Sequence, residues 1–363
     1  MRSFLFLLPL FAMFYLSCGS DSSKKLESNK KFVYVDFDEA IGAQRIGKNY
    51  FQDRKVDEKR YKEFARIWQA EAAKVNLTAK EMAQLTPKIP KIIHQVWLDS
   101  EPLPKNFKKY TNSWQEKHPD WQYRLWTARD LAEFSKDVQL ALGNAKEVYE
   151  KENIVRAAVL EKFGGLSVDF EFECLKAVDE LNFRYDFYTA LEPPLLKPQF
   201  GRVLQVGTCF MAAAPNHPII KRWMEEMKVR IKKGAGQFEN AREKKLWSTY
   251  TAFNDVLDEM LDDDQRSNVV LPPTYAYPIN PRWIYSFNKT EYLKNRNKKK
   301  KGVDKKVKKI LDKQTCPLFS IIQPESFALN HIGGSWGKDR ARFKALKSVL
   351  SQADIQEQVN NNF

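Results

Sequence analysis

Across 363 residues the chain carries only four cysteines. Cys174, Cys209 and Cys316 are widely spaced and form no CxxC pair, so neither a disulfide framework nor a zinc site is indicated; buried thiols are expected instead. No internal repeat is present. No RNP-type, zinc-finger or helix-turn-helix pattern accompanies the net charge of +14, which excludes those routes to nucleic acid and leaves no nucleic-acid partner expected. The excess charge is local. Lys294 to Lys313 holds eleven Lys or Arg against two Asp, a net of +9. This run reads as a solvated insertion at 294–313, or as a patch for an acidic membrane surface.

The longest apolar run, Phe4 to Leu16, falls short of the roughly 20 residues that a spanning helix needs. One Arg precedes it and small residues follow, so 1–20 reads as an export signal or membrane anchor. Leu16-Ser17-Cys18-Gly19 resembles a lipoprotein cleavage box with Cys18 as the lipidated residue, although Tyr15 breaks the pattern. An uncleaved signal-anchor, as in Golgi enzymes, is the alternative. Either one makes the chain exported and membrane-associated. Residues 21–50 read as a tether.

What the chain does have is aromatic bulk, with nine Trp and 24 Phe, enough to pack a large core. Phe64, Ile67, Trp68, Ala72 and Val75 recur at helical spacing and predict a helical extension over 51–86. Beyond Pro87 and Pro90, short apolar runs alternate with helical patterns. This predicts an α/β fold with a mostly parallel central sheet flanked by helices. Ile92, Ile93, Val96 and Leu98 mark a buried strand, with Trp97 near its carboxyl end and His94 as a satisfied core residue. Ligands bind open α/β sheets at that end, where an indole can stack on a base.

Ile154, Val155, Ala158 and Val159 form an apolar helix face, and Asn153 and Arg156, three apart, point the same way. Gly164-Gly165 ends the helix, and a strand from Leu166 to Val168 delivers Asp169. If the chain stays extended, Asp169, Glu171 and Glu173 gather on one side. Such carboxylates suit Mn²⁺ or Mg²⁺, which also bind phosphates. Near the C-terminus, Asn330-His-Ile-Gly-Gly-Ser-Trp-Gly337 reads as a glycine loop carrying ligand-type side chains.

In chain order these segments resemble the DXD-containing sugar-transfer family, which includes initiating α-1,6-mannosyltransferases and is related to clostridial glucosylating toxins. The resemblance spans about 88–337. It rests on Ile89-Pro-Lys-Ile-Ile-His-Gln-Val-Trp-Leu98 and on Ser113-Trp114, His118-Pro119-Asp120-Trp121 and Leu125-Trp126. It continues through Arg156, Gly164-Gly165-Leu166 and Asp169-Phe170-Glu171 to Ala214-Pro215-Asn216-His217-Pro218 and His331 with Ser335-Trp336.

The resemblance implies a GT-A domain over 87–337; the residues beyond it, 338–363, read as a helix and tail. It also implies a nucleotide-sugar donor, GDP- or UDP-linked, and retention of anomeric configuration. Trp97, Asn153, Arg156, Asp169, Ser335 and Trp336 would hold the donor. Asp169, Glu171 and His331 would hold Mn²⁺ or Mg²⁺, and Arg156, Asp169 and Trp336 would act in catalysis. The implied reaction moves mannose, galactose or glucose to a glycan, lipid or protein acceptor. The alternative is a surface-anchored protein that binds sugars or nucleotides without turnover. Four positions depart from the family pattern. Asn153 stands for Asp, Glu171 for Asp and Ser167 for Tyr, and no Gly-Pro precedes Ala252.

Overall fold

The computed structural model describes residues 32–41, 55–74, 77–194, 198, 200–234, 236, 238, 241–263, 265–278 and 323–331. The leader, the basic run at 294–313, Cys18, Cys316, Ser335, Trp336 and the C-terminal helix expected beyond them lie outside the described residues.

Six strands form the main sheet: β1 (Ile92–Trp97), β2 (Gln122–Thr127), β3 (Gly165–Val168), β5 (Phe187–Leu191), β6 (Val206–Ala213) and β7 (Asn268–Leu271). Their order is β2-β1-β3-β6-β5-β7. β1 runs parallel to β2 and β3, and β5 parallel to β7, whereas β6 is antiparallel to both its neighbours. Five strands therefore share one direction, and the sheet is mostly parallel as the alternating pattern predicts. A second, two-stranded sheet pairs β4 (Phe172–Cys174) antiparallel with β8 (Ala328–Asn330). It ties the end of the described chain to the strand that follows Glu171.

Five helices matter for the site: α1 (Lys55–Ala72), α2 (Lys105–Lys117), α3 (Val148–Phe163), α4 (Pro218–Lys233) and α5 (Ala252–Met260). In α3 every residue from Asn153 to Leu160 is buried, so this helix is enclosed on all sides and not merely amphipathic. It stops at Gly164, whose φ is +64°. A Cβ there would lie 2.7 Å from the Pro215 ring and 2.9 Å from the Ala213 carbonyl oxygen. Only glycine satisfies both the dihedral and the close approach.

The four fully buried tryptophans each place their indole N–H on an acceptor, as burial of that group demands. Trp68 donates to Val35 O, Trp114 to Phe172 O, Trp126 to His94 Nδ1 and Trp223 to Thr249 O. His94 is thereby a core residue. Its Nδ1 accepts from Trp126 and its Nε2–H donates to Gly164 O at 2.9 Å. Burial lowers its pKa to about 4.

α1 departs from a simple amphipathic strip. Phe64, Ile67 and Trp68 enter the core, but Ala72 is exposed, and Val75 lies outside the described residues. The buried face is completed by Asp57, Arg60 and Glu71. Asp57 Oδ1 accepts the N–H groups of Val203 and Leu204 at 2.9 and 3.0 Å, just ahead of β6. Arg60 donates to Asn254 and pairs with Asp258 on α5. Hydrophobic periodicity does not register a helix face that is polar because it satisfies a neighbouring backbone.

Candidate active site

The carboxyl ends of β1, β3, β5 and β7 open on one edge of the sheet. Trp97 ends β1, Asp169 follows β3, Glu192 follows β5 and Tyr277 follows the short helix after β7. Such an edge is where open α/β sheets hold ligands.

At its centre Arg156 projects from α3, only 4% exposed. Its Nε donates to Ser167 Oγ at 3.2 Å and its Nη1 to Asn153 Oδ1 at 2.7 Å, while Nη2 forms an ion pair with Asp169. Asn153 is itself fixed by its Nδ2–H, which donates to Tyr149 O at 2.8 Å. The fork of the guanidinium is thus filled on three sides. Two of the departures from the family pattern, Asn153 and Ser167, are neutral acceptors for this one cation, and they leave its charge to Asp169. Burial alone would lower the Arg156 pKa; Asp169 and other nearby acidic groups outweigh it and raise it.

Asp169-Phe170-Glu171 is a turn, not an extended strand, and the alternation expected for Asp169, Glu171 and Glu173 does not hold. The Phe172 N–H donates to Asp169 O at 3.1 Å, and the Asp169 N–H to Cys209 O at 2.9 Å. The cause is Phe170, which is buried against Phe107 and meets Trp97 edge-on at 5.6 Å. Trp97 is held further by its N–H, which donates to Glu101 O at 2.8 Å.

Glu173 has a different partner. Its Oε2 lies 2.7 Å from His331 Nε2, and its Oε1 3.4 Å from Lys109. Burial would raise the Glu173 pKa, but His331 and Lys109 outweigh burial and hold it below its ordinary value. The His331 ring stacks on Tyr110 at 4.1 Å and 7°, and its backbone N–H donates to Glu171 O at 2.8 Å. The structure therefore brings His331 beside the Asp169–Glu171 turn, as a ring oriented by a carboxylate. With Nε2 directed at Glu173, any ligand role falls on Nδ1.

Among the described residues no three His, Cys, Asp or Glu side chains converge at ligating distance. The donor set still fits a hard cation. Mg²⁺ or Mn²⁺ takes one or two carboxylates and fills its other positions from phosphate and water. Asp169 and Glu171, both partly exposed, supply that number.

Sequence reading missed several groups here. Glu152 lies one helical turn before Arg156 on α3, a spacing of four that was legible. Burial, and then the charge of Asp169, push its carboxyl up to about 7, against Arg156 and a hydrogen bond from Leu98. The Cys209 thiol is raised well above its usual range by burial and by Asp169. The other two histidines are structural. His118 spans Trp114 O and Val178 N–H, and His217 caps α4 while contacting Asn268.

Residues 104–188 match the family of glycosyltransferase sugar-binding regions containing a DXD motif. The chain is 28% identical over 140 residues to inositol phosphoceramide mannosyltransferase 1 of Schizosaccharomyces pombe, covering 37% of this chain and 41% of that protein. It is also 28% identical over 144 residues to mannosyl phosphorylinositol ceramide synthase SUR1 of Saccharomyces cerevisiae, covering 39% and 35%. The chain thus spans about two-fifths of the length of these curated relatives. PaToxG Glycosyltransferase, a solved structure, superposes over 49% of this chain and 73% of that one with a TM-score of 0.35 and 14% identity, a likeness too slight to carry an argument. The segment that builds the Arg156–Asp169–Glu171 group thus lies within residues 104–188, the part of the chain that matches the DXD-motif glycosyltransferase sugar-binding regions.

Proposed function

We propose that the chain is a retaining glycosyltransferase of GT-A type that takes a hexosyl group from a nucleotide sugar, with mannose as the favoured sugar and a lipid headgroup as the favoured acceptor. The observation that carries this reading is the buried Arg156, locked onto Asp169 at the carboxyl edge within the family-matched segment. The names of the two yeast relatives support mannose and a phosphoinositol lipid.

In this reading Trp97 faces the nucleobase, and the Asp169–Glu171 turn faces the diphosphate. A divalent cation bound there would neutralise charge on the departing nucleoside diphosphate. Arg156 sets the rotamer of Asp169 and offsets negative charge as the bond between the anomeric carbon and the phosphate oxygen breaks. An acceptor hydroxyl then forms the new bond to that carbon and gives its proton to the departing diphosphate oxygen. Association with a membrane follows from a lipid acceptor and an export-type leader.

The test is a screen of GDP-mannose, UDP-galactose and UDP-glucose with Mn²⁺, following nucleoside diphosphate release. Turnover of one donor that stops with chelator supports the reading. Tight nucleotide binding without turnover would return the protein to a binding role.

A further inference from the structure

Across β6 from Arg156, the edge holds a second polar group that the family motifs do not include. Gly207 lies near the start of β6, two residues before Cys209, and so shares its face of the strand. A Cβ on Gly207 would sit 2.1 Å from the Tyr277 hydroxyl oxygen and 3.2 Å from Glu192 Oε1. The phenol and the carboxylate thus meet over bare backbone. Phe172 braces the Tyr277 ring edge-on at 5.2 Å, so packing holds the ring independently of its hydroxyl. Tyr277 is 5% exposed, and its hydroxyl is fully buried with no hydrogen-bond partner. Burial and the neighbouring Cys209 and Glu192 push its pKa well above the usual tyrosine range, so it remains a protonated donor. An orphaned buried hydroxyl carries an uncompensated desolvation cost and calls for an explanation.

Strand order supplies one. Along the edge the sequence is Trp97 after β1, Asp169 after β3, then Glu192 after β5 and Tyr277 after β7. A nucleotide sugar with its base at Trp97 and its diphosphate at Asp169 directs its hexose across β6. We propose that Tyr277 and Glu192, brought together over Gly207, read a hydroxyl of the transferred hexose: Tyr277 donates to the sugar oxygen, and the sugar O–H donates to Glu192. This assignment rests on the proposed nucleotide-sugar function and assigns two residues to sugar choice.

Calorimetric binding with Mn²⁺ separates sugar from nucleotide, using GDP-mannose against GDP and UDP-glucose against UDP. Tyr277→Phe and Glu192→Gln should leave nucleoside diphosphate affinity within about twofold and weaken the matching nucleotide sugar by about tenfold or more. The melting temperature of Tyr277→Phe should stay level or rise, because the lost hydroxyl had no partner. Gly207→Ala displaces the phenol and should reproduce the selective loss. Equal losses for nucleotide and nucleotide sugar, or no loss for the nucleotide sugar, would overturn the assignment while leaving the nucleotide site intact. A wild-type chain that binds none of the four ligands would overturn both.

Discussion

The two halves of the carboxyl edge differ in how they are made. On the β1–β3 side Arg156 is satisfied by Ser167, Asn153 and Asp169, all drawn from one helix and the strand it feeds. On the β5–β7 side Tyr277 and Glu192 come from distant segments, and the Tyr277 hydroxyl is left without a partner. The first half is a preorganised electrostatic device, complete before ligand arrives. The second holds a buried hydroxyl donor that no group among the described residues satisfies. In the proposed reading, transfer machinery and sugar choice fall on opposite sides of β6.

Arg156→Lys tests the first half most severely. A lysine cannot reproduce a fork shared among three acceptors. Turnover should fall on the order of a hundredfold or more, with KM for donor changed much less. A loss confined to KM would make Arg156 a binding group only.

Asp57→Ala on α1 tests whether the second half depends on that helix. Losing the acceptor for the buried Val203 and Leu204 N–H groups should cost about 2–6 kcal/mol in denaturant unfolding, at roughly 1–3 kcal/mol for each orphaned group. Asp57→Asn keeps an acceptor oxygen and should recover much of the loss. A stable Asp57→Ala protein would show that α1 is dispensable, a simple extension as its hydrophobic pattern alone suggested.

The smallest effect concerns His217. Burial lowers its pKa to about 4, from an ordinary value of 6.5. A depressed folded-state pKa adds stability that is present above pH 6.5 and lost as pH falls through 4. At about 1.4 kcal/mol per unit, the limiting contribution is about 3 kcal/mol. His217→Asn keeps an N-cap acceptor for α4 and removes the titration. Its stability should therefore change less than that of wild type between pH 6.5 and 4. Parallel pH profiles would show that His217 does not titrate in this window.

Much of the first half was legible in the sequence because its parts are local. The apolar run at Ile92, the Asn153–Arg156 spacing and the glycines after α3 each state their geometry within a few residues. The turn at Asp169-Phe170-Glu171 was not legible, because burial of Phe170 against Phe107 and Trp97 overrides the alternation of an acidic strand. Neither were Glu192 and Tyr277. Their meeting depends on β6 entering the sheet antiparallel between β3 and β5, and on the absence of a side chain at Gly207. No spacing along the chain encodes either fact.

The central claim is that the Asp169–Glu171 turn serves metal-dependent transfer from a nucleotide sugar. The measurement that meets it most directly is the initial rate of GDP release from GDP-mannose, for wild type and Glu171→Gln, with Mn²⁺ and with chelator. The account predicts a wild-type rate that vanishes in chelator and returns with Mn²⁺, and a variant slower by on the order of a hundredfold or more. A full rate in chelator, or an unimpaired Glu171→Gln protein, would contradict it.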